Sequence, residues 1–287
     1  MDRDDRDEAV RRAVAEEHLL VTVELRMLED HGAGIMETTR EAVNVAGTSR
    51  SAMIWSAAEL RALEGIRVGA SEIVYAFVSL EGEPSALDEG LLDDEERDRS
   101  SRFVRPRDRQ RFVQAHAGLR LFLARSLAVE PATVRYETGA QGKPRLLPGL
   151  PPLEFNLAHS EELGLLAVAR DRALGVDVEH VRDLPDAMSI ADTHFTAAES
   201  EGLRSLPPPE RRAAFFRYWA RKEAVIKAGG EGLERSLDSF SVDGTAGSTE
   251  WILQDLPSPT GYAAAGAVAA HPGAALQWRE LVIEGPE

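Results

Sequence analysis

From Glu72 onward, runs with strand character and runs with helical spacing follow one another without the regular strand–helix–strand rhythm of a doubly wound sheet. That irregular alternation predicts an α+β fold with antiparallel sheets. Ile73 to Leu80 (IVYAFVSL) reads as a strand, and Asp88 to Arg102 as a polar helix. Asp108 to Leu127 carries Phe112, Ala115, Leu119, Phe122 and Leu123 at the spacing of an amphipathic helix. Gly139 to Pro152 is rich in Gly and Pro and reads as loop. Phe155 to His159 is a short strand. Leu165 to Ala169 and Leu174 to Glu179 read as strands of a hairpin turning at Asp171-Arg172. A helix containing Phe215 to Ala228 follows Pro207-Pro208-Pro209 and stops at Gly229-Gly230, and strands and turns continue from Ser239.

The opening of the chain has a different texture. A charged, helix-prone stretch runs to about His31, where Gly32 and Gly34 break it. Ser56-Ala-Ala-Glu59 has the form of a capping box opening a helix to about Glu64. A helix-turn-helix over Thr39 to Leu63 would lack a basic recognition face. Residues 1–71 therefore read as an appended, partly ordered extension, with 72–165 and 166–287 as two further parts.

The 287 residues are 43% hydrophobic, enough for real apolar cores, and contain no cysteine. Disulfides, iron–sulfur clusters, thiolate nucleophiles and Cys-ligated zinc are excluded. The first residues, MDRDDRDEAVRR, are too charged for a secretory signal, and no apolar run reaches the length of a membrane span. A soluble cytoplasmic protein without membrane contact is expected. A net charge of −16 argues against generic nucleic-acid binding. Yet Arg97, Arg99, Arg102, Arg105, Arg107, Arg109 and Arg111 crowd one stretch. They form either a cationic patch for an anionic ligand or partner, or a solvated helix face paired to Asp93, Asp94, Glu95 and Asp108.

In Gly175-Val-Asp-Val-Glu179, side chains two apart share a strand face, so Asp177 and Glu179 project together. Two carboxylates on one rigid face offer hard oxygen ligands for Mg²⁺, although an ordinary hairpin with a wet face looks the same. On the later helix, Trp219, Glu223 and Lys227 lie on one stripe. Glu223 and Lys227 are either a surface ion pair or, with Trp219 partly buried, a third carboxylate and a cation brought to the strand pair. His159 ends Phe-Asn-Leu-Ala-His, and Lys143 sits in Gly-Lys-Pro, where Pro144 pins the backbone.

In order and combination, QGKPRL (141–146), FNLAHS (155–160), GVDVEH (175–180) and WARKEAVIKAGGEGL (219–233) resemble the 4′-phosphopantetheinyl transferase superfamily, in its larger, surfactin-synthetase-activating form. The Arg-rich segment 102–112 precedes them, and the likeness spans about residue 72 to the C-terminus. The resemblance implies a monomer of two similar α+β halves related by a pseudo-twofold axis. Coenzyme A would lie between the halves as co-substrate, and an acidic acyl or peptidyl carrier protein would be the partner. The reaction would be transfer of 4′-phosphopantetheine to a carrier serine with release of 3′,5′-ADP, as by a holo-[acyl-carrier-protein] synthase.

Carried over, Asp177, Glu179 and Glu223 would hold Mg²⁺ (or Mn²⁺). Glu223 would take the serine proton directly or through a water, and Lys227 would stabilise the phosphates and the leaving group. His159, Arg111 and Arg99 would grip the 3′-phosphate, Lys143 and Pro144 would line the adenine and its phosphates, and Glu199 would stand near the metal. Ala158 replaces a frequent serine, which implies one lost phosphate hydrogen bond. The competing reading is a non-catalytic module that binds carrier proteins or senses coenzyme A.

Overall fold

A strand whose two faces are both apolar has to be covered twice, and IVYAFVSL is such a strand. The computed structural model describes residues 52–139, 142–230, 235–244, 250–270 and 276–282. It begins with β1 (Ile54–Trp55), α1 (Ala57–Ala62) and β2 (Glu72–Ser79). Then come α2 (Ala86–Leu91), α3 (Asp94–Ser101), α4 (Pro106–Leu127), β3 (Tyr136–Thr138), β4 (Pro144–Leu146), β5 (Glu154–Ser160) and β6 (Leu163–Ala169). β7 (Leu174–His180), α5 (Ala187–His194), α6 (Ala197–Ser205) and α7 (Pro208–Gly229) follow, and β8 (Trp251–Asp255), β9 (Tyr262–Ala269) and β10 (Gln277–Glu280) close the chain.

The first sheet has the order β1-β2-β6-β5, antiparallel from β2 to β5, with β10 also on β2. β1 and β10 both run parallel to β2, an exception to the antiparallel expectation. On one face, Val74, Ala76, Val78, Leu166 and Val168 pack under Ala115, Leu119, Phe122 and Leu123 of α4. On the other, Ile73, Tyr75, Phe77, Leu165 and Ala167 meet Leu174, Val176 and Val178 of the second sheet, ordered β7-β9-β8. The far side of that second sheet carries α7, where Ala220, Ala224 and Ala228 pack on Ala265 and Ala267. Small residues on both surfaces let the helix come close to the sheet. The architecture is thus helix, sheet, sheet, helix, a mixed α/β fold.

The two long helices share one plan. α4 and α7 are each 22 residues long, each has Pro in its first positions, and each ends on a left-handed residue (Ala128, φ 56°; Gly230, φ 68°). The predicted Ser56–Glu59 capping box is present at the start of α1. Asp88 to Arg102 divides into α2 and α3 because Ser85 and Asp93 each open a capping box of their own. The loop expected over 139–152 contains β4, paired with β3 through a turn in which Gly139 N–H donates to Lys143 O at 2.9 Å.

Three boundaries differ from the expectation. Residues 52–71 are not an appended segment: Trp55, Leu60, Ile66 and Val68 belong to the main core, and β1 pairs with β2. The rest of the predicted extension, including most of the weighed helix-turn-helix, lies outside the described residues. The division at 165/166 falls inside β6, and β10 returns to the first sheet, because both strands need β2 as their hydrogen-bonding partner. Finally, β6 and β7 form no hairpin; β7 pairs with β9 in the other sheet. The chain crosses over near Asp171 (φ 51°). The edge of β7 that faces β5 is served by side chains instead of a ladder: Val176 N–H donates to Asn156 Oδ1 at 2.8 Å, and His180 N–H to Ser160 Oγ at 3.1 Å.

Candidate functional site

The crossing of β7 and α7 sets the site. Val176 and Val178 face the inter-sheet core, so by strand alternation Gly175, Asp177 and Glu179 face α7. A Cβ on Gly175 would overlap the backbone of Ala224, Lys227 and Ala228. Glycine therefore permits the close contact of β7 with α7 in which Lys227 reaches Asp177. Asp177, Glu179 and Glu223 are 4%, 9% and 6% exposed. The burial inferred from Trp219 is thus found, and Glu223 is no surface residue.

Lys227 Nζ donates to Asp177 Oδ1 at 2.6 Å, while Asp177 Oδ2 is buried and accepts no hydrogen bond. Burial pushes the Asp177 carboxyl up, against the pull of Lys227. Ser160 Oγ donates to Glu179 Oε2 at 3.2 Å, so one serine both closes the β5–β7 seam and orients an acid. Among the described residues, no three His, Asp or Glu side chains are grouped so as to hold a metal ion. The Lys227 ammonium is the counter-charge that Asp177 takes in this arrangement. The donor set nonetheless suits a hard divalent cation: three buried carboxylates from one strand face and the facing helix, with an oxygen on Asp177 left over.

His159 lies on the opposite face of β5 from Asn156 and Ser160. His159 is exposed to solvent. Desolvation, and then the positive charges of Lys227, His116, Arg111 and Arg99, hold its imidazole below the ordinary histidine range. The exposed surface makes the ring reachable, and the surrounding protein and cations make it neutral near pH 7. The predicted Arg111, Arg99 and Lys227 are thereby within electrostatic range of His159, and so is His116. His116 shares the helical stripe of Phe112 and Arg120, a spacing that could have exposed it. Arg111 pairs with Glu161 and, at 2.9 Å, with Glu162, and keeps a buried Nε–H without a partner. Arg99 stacks 5.3 Å from the Phe112 ring centroid.

Other expectations change. Ala158 is 4% exposed and faces the inter-sheet core, so a serine there would point away from His159 and no phosphate hydrogen bond is lost. Glu199 is 1% exposed and bound to Lys222 Nζ at 2.8 Å and Val242 N–H at 2.7 Å. It anchors the segment after α7 and has no open side toward a metal. The arginine stretch is largely paired: Arg97 with Asp94, Arg102 with Asp98, Arg107 with Glu162, Arg109 with Glu89. Arg105 makes no ion pair with the described residues. Lys143 donates to two backbone carbonyls, and Pro144 begins β4 beside it. Asn156 and Ser160 are positioning residues that lay unread within FNLAHS.

Two packed sheets flanked by helices, with buried carboxylates where β7 meets α7 and Lys227 on one of them, define an α+β protein. The model of the 4′-phosphopantetheinyl transferase superfamily matches residues 173–269, which contain β7, α7 and β9. The chain is 40% identical over 146 residues to the 4′-phosphopantetheinyl transferase HetI of a Nostoc species, covering 50% of this chain and 62% of HetI. It is 30% identical over 152 residues to the 4′-phosphopantetheinyl transferase Sfp of Bacillus subtilis, covering 53% and 66%. To the 4′-phosphopantetheinyl transferase AcpT of Salmonella typhimurium it is 36% identical over 135 residues, covering 47% and 67%. The match spans somewhat less than two thirds of HetI and Sfp. The chain belongs to the 4′-phosphopantetheinyl transferase superfamily.

Proposed function

We propose that this chain transfers the 4′-phosphopantetheine arm of coenzyme A to a serine of an apo acyl or peptidyl carrier protein. The serine Oγ–P bond forms, the bond from that phosphorus to the bridging oxygen breaks, and 3′,5′-ADP leaves. The observation that carries this reading is the meeting of the Asp177–Glu179 strand face with the Glu223–Lys227 helix stripe, beside the cations gathered at His159.

Asp177, Glu179 and Glu223 would hold Mg²⁺ or Mn²⁺. When bound, the ion neutralises charge on the pyrophosphate oxygens during transfer. Glu223 would accept the serine proton. Lys227, already on Asp177, is a compact cation for the departing bisphosphate. Neutral His159 can donate a hydrogen bond to the 3′-phosphate without carrying charge of its own, and Arg111 and Arg99 supply the charge. The uncommitted Arg111 Nε–H is one donor available for this. Pro144 would present a flat edge to the adenine. An acidic carrier partner, a monomeric state and a cytoplasmic location belong to the same reading; among the described residues no helix is long and apolar enough to cross a membrane.

Incubation with coenzyme A, Mg²⁺ and a panel of apo carrier domains should add one phosphopantetheine to a carrier, read by mass. Chelation should stop the reaction, and Asp177→Ala and Glu223→Gln should each slow it by at least about a hundredfold. Turnover that survives thorough chelation would refute the metal assignment.

A further inference from the structure

An ammonium has three N–H donors and no acceptor, so its partners can be accounted for in full. Lys143 comes from the first half, at the turn between β3 and β4, yet its Nζ donates to Leu174 O at 2.9 Å and to Ala228 O at 3.1 Å. Its third side faces Glu154 Oε2 at 3.9 Å. Leu174 is the first residue of β7, and Ala228 lies in the last turn of α7. These are the two elements that deliver the acids, held at the point where Gly175 touches the helix backbone. The last carbonyls of a helix lack intrahelical partners and carry the negative end of its dipole, where a cation is favoured.

The stem of Lys143 is seated as firmly as its head. Gly230 takes the left-handed conformation (φ 68°), and a Cβ there would lie 3.4 Å from Lys143 Cδ. The side chain is 11% exposed.

We infer that Lys143 is a positioning residue: its ammonium clamps the last turn of α7 to the start of β7, setting the height of Glu223 and Lys227 against Asp177. Its effect on turnover rests on the transferase reading; the clamp itself does not.

Three proteins decide the matter: wild type, Lys143→Met, which keeps the stem and loses every donor, and Lys143→Gln, which keeps neutral donors and loses the charge. In Lys143→Met, amide exchange at Ala228 to Gly230 should quicken about tenfold. Its kcat should fall about tenfold while KM for coenzyme A stays within about twofold. Lys143→Gln should recover part of both losses, since a neutral amide still serves a carbonyl. A merely structural role would lower the melting temperature and leave kcat of the folded enzyme in place. Unchanged exchange in both variants overturns the inference. So does a tenfold loss of affinity for 3′,5′-ADP, by calorimetry, that is equal in Met and Gln. If wild type shows no transfer, the functional reading fails alone, and the exchange data still decide on Lys143.

Discussion

Gly175 stands where two backbones touch. Any side chain would enter the main chain of Ala224 to Ala228, which cannot swing aside as a flexible side chain could. Gly175→Ala should therefore push α7 off β7 and cost about 1–3 kcal/mol, the usual range for overpacking a tight interior. The same shift would draw Lys227 from Asp177 and Glu223 from the strand. Activity should fall more than stability does, which parallel urea denaturation and transfer assays would read; full activity in a stable Gly175→Ala protein would contradict this contact. Much at this scale was legible beforehand. Asp177 and Glu179 share a face because a strand alternates, and Glu223 and Lys227 share a stripe because a helix turns every 3.6 residues. The roles of Asn156, Ser160 and Lys222 were not legible, since each acts on residues distant in the chain.

At the scale of elements, a buried polar network locks α3 to α4 and β3. Glu96, 6% exposed, accepts from Arg120 Nε at 3.0 Å and from the Tyr136 hydroxyl, and lies 2.7 Å from His116 Nδ1. Burial alone would raise its pKa. The bonds from His116 and Tyr136 and the charge of Arg120 outweigh it and hold the carboxyl down to about 2, against an ordinary 4.5. The folded state thus binds this proton less readily than the unfolded chain. Its stabilisation is fully present above about pH 4.5 and is lost as pH falls toward about 2. The shift corresponds to something on the order of 3 kcal/mol. Glu96→Gln should be destabilised above pH 4.5 and should flatten the dependence of the urea midpoint on pH between these values. An identical acid limb in variant and wild type would show that other carboxylates govern it. The helices and strands themselves were readable from periodicity, but the division of α2 from α3 depended on caps within a uniformly polar stretch.

At the scale of the molecule, β1 and β10 lie end to end on one edge of β2. Trp55 Nε1 donates to Leu281 O at 2.9 Å across the junction. The first and last described segments thereby close the first half together. A chain beginning at Glu72 would lose Trp55, Leu60, Ile66 and Val68, all within the core. Each large buried side chain is worth about 1.5–3 kcal/mol, and the whole stability of a domain is only about 5–15 kcal/mol. That truncation should melt at least about 10 °C below one beginning at Ala52, or not fold at all. Equal melting temperatures would mean that 52–71 add little to the core.

Local order in the chain determined the secondary structure of the two long helices, the doubly buried strand β2, the Ser56 cap and the family signature. Each depends on spacings of four residues or fewer, or on motifs read in order. Only the tertiary structure decided that β7 leaves β6 for another sheet, that the ends of the described chain share one edge, and that Lys143 reaches a helix from the other half. Those choices rest on contacts between residues far apart in sequence, where a hydrogen-bond donor finds whichever acceptor the packing brings near, and no periodicity records which that is.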